Sequence, residues 1–140
     1  MTVEFLVDTS AYMRLAREAE LQRSWRDYLN SGLLVSCELT ELEIYYTAQS
    51  VDRRREPAST IRERYKWAIM PDGIFDRATE VQELLTKRGA HRSACPVDLL
   101  VAATAESHGM TILHYDRDFE SVAKITGQPT RWIADPGTVA

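Results

Sequence analysis

The stretch "VEFLVDTSAY", residues 3–12, decides the reading of this 140-residue chain. Residues 3–7 are short, β-branched and aromatic, which is the composition of a buried strand. The run then meets Asp8, Thr9 and Ser10. Residues of this kind cap helices, because a side-chain oxygen accepts a hydrogen bond from an unpaired N–H of the first turn. A second stretch, "MTILHYDRDF" at residues 110–119, repeats the arrangement with Ile112 and Leu113 followed by Asp116 and Asp118. Two buried runs that both end on acids pose a sharper question than one.

Working outward, residues 9–18 and 20–30 read as helices, with Tyr12, Leu15 and Ala19, then Leu21, Trp25 and Leu29, at helical spacing. Residues 33–36 read as a strand. A helix is expected over 38–51, with Leu39, Leu42, Tyr46 and Ala48 near one face. Another is expected over 59–69, after Pro57 and capped by Ser59. Helices follow over 74–88 and 96–108, the latter opened by Pro96 and closed by Gly109. Residues 111–113 are a strand, 117–126 a helix and 130–133 a last strand. Strands alternating with helices indicate an α/β sandwich with a mainly parallel central sheet of four to five short strands. The length fits one domain, residues 1–140. In such sheets ligands gather beyond the carboxyl ends of the strands, where Asp8 and Asp116 fall.

The hydrophobic fraction of 44% and charged fraction of 27% are those of an ordinary globular protein. Cys37 and Cys95 are too far apart, and too far from paired histidines, to indicate zinc or a disulfide framework. No signal peptide or membrane-length apolar run is evident, so the expected location is the cytoplasm. The net charge of −4 lacks the basic footprint usual for nucleic-acid binding. Basic residues are local: Arg53, Arg54 and Arg55, then Arg62, Arg64 and Lys66. They read either as a solvated helix face or as contacts to phosphate.

Two further acids sit oddly. Glu43 falls between Leu39 and Tyr46 on the same expected helix face, whereas Glu38 and Glu41 point elsewhere. Asp98 stands in the first turn of "CPVDLLVAATAES", ahead of an apolar run that buries the helix. Each acid alone has a plain explanation, such as a cap, a dipole partner or an edge position. Gathered in one pocket, each pair of carboxylates at ~5 Å costs about 3 kcal/mol. A bound cation removes that penalty. All-oxygen ligands suit Mg²⁺ or Mn²⁺.

At these residues the sequence resembles the PIN-domain ribonucleases, and within them the VapC-type toxins of bacterial toxin–antitoxin pairs. The resemblance covers nearly the whole chain through "FLVDTSAY", "TELEIYYTAQS", "PVDLLVAATAESHG" and "ILHYDRDFESVAKITG". It implies a PIN-like α/β/α sandwich and Mg²⁺-dependent hydrolysis of single-stranded or loop RNA, with Mn²⁺ as a substitute. The acids it implies are Asp8, Glu43, Asp98 and Asp116, with Asp8, Asp98 and Asp116 as metal ligands. Asp118 stands where many members carry a further acid, and Thr9 and Ser10 match hydroxyls that order the first acid or a metal-bound water. His114 departs from the threonine many members carry there. It reads either as a satisfied structural histidine or as a hydrogen bonder behind the acids. Arg53, Arg54 and Arg55 would guide the RNA backbone. Tyr45, Tyr46, Tyr65 and Trp67 would either stack on bases or pack in the core. The resemblance also implies a homodimer and a small antitoxin, whose tail would lie in a groove lined by Tyr12, Leu15, Leu21 and Trp25.

Two other functions fit parts of this pattern. A Mg²⁺ phosphohydrolase with an aspartyl nucleophile usually carries a second Asp two residues after the first, where this chain has Ser10. A non-catalytic RNA-binding module of the same fold would not need the complete set of acids.

Overall fold

Side-chain alternation in the first strand, β1 (Phe5–Val7), divides the molecule into two layers. Phe5 and Val7 face one apolar core and Leu6 the other, as the two-residue period of a strand requires. The computed structural model describes residues 2–140. After β1 come helices α1 (Thr9–Arg17) and α2 (Ala19–Asn30), strand β2 (Leu34–Cys37), and helices α3 (Glu38–Tyr46) and α4 (Val51–Arg64). Strand β3 (Lys66–Ala68) and helices α5 (Ile74–Lys87) and α6 (Pro96–His108) follow, then β4 (Thr111–His114), α7 (Asp118–Thr126) and β5 (Thr130–Trp132).

The five strands form one sheet in the order β3-β2-β1-β4-β5, with every neighbouring pair parallel. This is the expected α/β/α sandwich. One core packs Leu6, Val35 and Ile112 against Val81 and Leu85 of α5, Leu99 and Ala102 of α6, and Phe119 and Val122 of α7. The other packs Phe5, Leu34 and Leu113 against Tyr12, Leu15, Trp25, Ile44 and Ile61. The chain steps outward from β1 to β2 and β3, then returns to place β4 on the other flank of β1. That reversal opens a crevice beyond the carboxyl ends of β1 and β4, the usual ligand position in such a sheet.

Two expectations are corrected in the middle of the chain. The helix placed at 59–69 begins at Val51 and ends at Arg64, and Lys66–Ala68 is the edge strand β3. Pro57 does not open this helix but lies within it, along an exposed stretch where water can replace the missing hydrogen bond. Ser50, rather than Ser59, is its cap, accepting the Arg53 N–H at 3.1 Å. The helix placed at 38–51 stops at Tyr46. Its expected apolar face is also overturned, because Leu42 and Tyr46 are exposed while Thr40, Glu41 and Ile44 are buried.

Candidate active site

The site is built at the carboxyl ends of β1 and β4 and completed by α3 and α6. Asp8 follows β1 and is the N-cap of α1. Its Oδ2 accepts both the Ser10 N–H, at 3.0 Å, and the Ser10 hydroxyl, at 2.6 Å. The Asp8 N–H donates to Leu113 O at 2.9 Å, and the Tyr115 N–H donates to Ser10 Oγ at 2.9 Å. Ser10 therefore ties the two strand ends together. Asp8 caps a helix and its charge also acts on Asp98 and Asp116, so the two explanations of the opening stretch are not alternatives.

Asp98 lies in the first turn of α6 and is buried. Oxygens of Asp98, Asp116 and Asp118 lie within 4.8 Å of one another. Asp116 and Asp118 are half-buried on the turn after β4, where Asp116 Oδ1 accepts the Asp118 N–H at 2.9 Å. Glu43, half-buried on α3, accepts the Thr9 hydroxyl at 2.9 Å. Among the described residues, none of these five acids forms an ion pair.

Their proton affinities register this crowding. Burial, then the charges of Asp8 and Asp116, push the Asp98 carboxyl up to about 7. Burial is also the main cause of the raised affinity of Asp8, opposed by the Ser10 hydrogen bonds and assisted by Asp116. Glu43 is raised by burial and by Asp8, against the lowering effect of Thr9. Asp118 is raised by burial and by Asp116. The charges named here act between Asp8 and each of Glu43, Asp98 and Asp116, while the trio with oxygens within 4.8 Å is Asp98, Asp116 and Asp118, without Asp8 or Glu43. Crowded carboxylates without a counter-charge fit a hard divalent cation, which takes oxygen ligands and offsets their repulsion.

Asp118, expected only as a supporting acid, has an oxygen within 4.8 Å of oxygens of Asp98 and Asp116. The signal was the two-residue spacing in "DRD", which lets one aspartate bind the amide of the next. Glu41, expected to point away from the apolar face of its helix, is instead turned inward. It is buried and held by Arg62 at 2.9 Å and by the Tyr45 hydroxyl at 3.1 Å. His114 is not fully satisfied: Nδ1 accepts the Asp116 N–H at 3.1 Å, while buried Nε2 has no partner among the described residues. Burial pushes its proton affinity down.

Arg53, Arg54 and Arg55 lie on α4 rather than on the strand ends. Arg53 lines a groove, Arg54 stacks over Tyr45 at 4.1 Å, and Arg55 pairs with Asp52 at 3.5 Å. Of the four aromatics, Tyr65 is buried, Tyr45 and Trp67 are half-buried, and Tyr46 is exposed. The groove, about 850 Å³, runs between α1 and α2 on one side and α3 and α4 on the other. Tyr12, Leu15 and Trp25 line it as expected. Leu21 does not, and packs into the core beneath.

Residues 5–125 match the family described as PIN domain. The chain belongs to the PIN domain family. Among curated relatives of this PIN chain, Ribonuclease VapC21 of Mycobacterium tuberculosis is 40% identical over 138 residues, covering 99% of each chain. Ribonuclease VapC51 of the same species is 34% identical over 146 residues, again covering 99% of each. Solved structures share the fold. The DNA-bound VapBC of Salmonella typhimurium matches with a TM-score of 0.76 at 22% identity, covering 95% of this chain and 100% of that one. VapBC-1 of nontypeable Haemophilus influenzae matches with 0.76 at 17%, covering 94% and 98%. No helix among the described residues is long and apolar enough to cross a membrane.

Proposed function

We propose that this PIN domain is a divalent-metal-dependent endoribonuclease, the toxin of a toxin–antitoxin pair, acting on single-stranded or loop RNA in the cytoplasm. One observation carries the reading: Asp98, Asp116 and Asp118 oxygens lie within 4.8 Å of one another, and among the described residues none of them has a basic partner. Relatives named as ribonucleases over their full length support it.

Asp8, Asp98 and Asp116 would hold the ion, Mg²⁺ with Mn²⁺ as a substitute, with Asp118 beside them and Glu43 completing the acidic pocket. When bound, such an ion lowers the pKa of a coordinated water and stabilises charge on the attacked phosphodiester. The chain's own contribution is preorganisation. Ser10 holds the Asp8 carboxylate and the β4 turn in one register, and Thr9 fixes Glu43. Asp116 holds the turn that carries Asp118. These bonds restrain the side chains and the turn that carry the acids, which would reduce the rearrangement needed on binding.

The direct test is hydrolysis of a labelled single-stranded RNA by the purified chain. Cleavage is expected to stop with EDTA and to return with excess Mg²⁺ or Mn²⁺. Cleavage that persists in EDTA would contradict metal dependence. A stable phosphate adduct on Asp8 after exposure to a phosphodonor would favour the phosphohydrolase reading instead.

The groove beside the site suits an antitoxin segment as its occupant. Its floor carries Tyr12, Leu15, Trp25 and Ile44, and its walls carry Arg17, Arg26, Arg53 and Arg64 against one acid, Glu56. An apolar segment with flanking acids complements that surface. Ala48→Arg on the groove wall is expected to weaken antitoxin binding by about tenfold or more while leaving RNA cleavage unchanged, as read by titration and by the same assay. Equal antitoxin affinity in the variant would remove the groove from this role. A homodimer belongs to the same proposal; exposed Leu42 and Tyr46, one turn apart on α3, offer apolar surface for a second copy.

A further inference from the structure

We infer that His114 is a positioning residue for the acidic site: its Nδ1 accepts the Asp116 backbone N–H and fixes the direction in which that carboxylate leaves the strand. This role rests on the divalent-metal reading above.

The turn after β4 is held through its amides. The Tyr115 N–H binds Ser10 Oγ, the Asp116 N–H binds His114 Nδ1, and the Asp118 N–H binds Asp116 Oδ1. Each bond runs from a turn amide to a side chain, so the acids are set by acceptors rather than by strand pairing. The His114 bond spans two residues, the spacing at which asparagine and aspartate side chains fix turns. Only a ring with an unprotonated Nδ1 can accept this N–H.

A packing role alone does not account for a histidine here. The residue is fully buried, with its ring 5.3 Å from that of Phe119 and 4.8 Å from that of Trp132. Among the described residues its Nε2 is left without a partner. A buried unpaired polar atom costs stability, and a leucine would fill the space without that cost. What a leucine lacks is the acceptor at Nδ1.

Two measurements test the role. In the wild-type protein, ¹H–¹⁵N correlation spectra of the His114 ring are expected to show Nε2 protonated and Nδ1 bare. A proton on Nδ1 would overturn the assignment without any variant. The second measurement is calorimetric titration with Mn²⁺ of wild type, His114→Leu and His114→Asn, alongside their melting temperatures. His114→Leu is expected to weaken Mn²⁺ binding by about 10–100-fold, while His114→Asn, which keeps an acceptor at the same spacing, stays within about threefold. The asparagine variant is nonetheless expected to melt lower, because its smaller, more polar side chain leaves a cavity. Unaltered Mn²⁺ affinity in His114→Leu, or affinities that fall in step with melting temperature in both variants, would reduce His114 to packing. Failure of the wild type to bind Mn²⁺ would overturn the metal reading itself, and this role with it.

Discussion

Asp98→Asn is expected to abolish RNA cleavage and, at the same time, to make the metal-free protein more stable. The loss of activity follows from the place of Asp98 in the trio of acids. A metal ion contributes several kcal/mol to charge stabilisation in phosphoryl chemistry, and about 4 kcal/mol corresponds to about 10³-fold in rate. A loss of that size or greater is predicted, with an unchanged circular dichroism spectrum.

The gain in stability has a separate cause. Asp98 is buried beside Asp8 and Asp116, and its carboxyl is pushed up to about 7. At pH 7.5 it is mostly ionised in the metal-free protein, among like charges and partly stripped of water. Asparagine keeps the shape and removes the charge. The carboxyl retains some access to solvent, so screening reduces the full electrostatic penalty. A gain of about 1–2 kcal/mol remains, or about 3–7 °C in melting temperature for a chain of this size. A variant that loses activity because it has lost its fold would melt lower, so the two outcomes separate cleanly. Asp98→Asn that cleaves RNA like wild type would remove Asp98 from the site.

The second large effect is in pH. The folded, metal-free protein retains a proton on Asp98 up to about 7, whereas an unfolded chain releases it near the ordinary value of 3.8. The folded state therefore binds more protons between these values, and stability falls as pH rises through that window. The penalty is absent well below pH 4 and complete above about pH 7. A cation competes for the same carboxylate. Below about pH 7 each bound ion displaces a proton, and affinity falls roughly tenfold per pH unit for a single displaced proton. Mn²⁺ affinity is thus expected to be about 20-fold weaker at pH 5.5 than at pH 7.5, and the raised affinity of Asp8 acts in the same direction. Calorimetry at the two pH values, in buffers of different ionisation enthalpy, reads both the affinity and the released proton. A flat affinity over that range would show that the acids are not crowded as the structure has them.

Much of this site was legible because its acids end strongly patterned segments. "FLVDTS" is strand, cap and helix in six residues, and "CPVDLL" opens a helix whose apolar run fixes its burial. The middle of the chain was harder for identifiable reasons. β3 is three residues, "KWA", too short for alternation to register, and Pro57 suggested a helix start that Ser50 in fact provides. On α3 the apolar residues Leu42 and Tyr46 point outward while the acid Glu41 is buried against Arg62. Hydrophobic spacing therefore put Glu43 on a face with Leu39, which packs against the core, and Tyr46, which does not. What brings Glu43 toward the site is its bond to Thr9, a contact between residues 34 positions apart that no local pattern reveals. Asp118 joined the trio through the amide of its own turn, a detail of backbone geometry rather than composition.

Crystals of the wild-type chain soaked in Mn²⁺, with data collected at a wavelength where manganese scatters anomalously, would show directly whether these acids hold the ion. An anomalous peak is expected at about 2.0–2.2 Å from carboxylate oxygens of Asp98 and Asp116, with Asp8 facing it. A fully soaked crystal with no peak among these acids, or with manganese bound only elsewhere, would contradict that expectation.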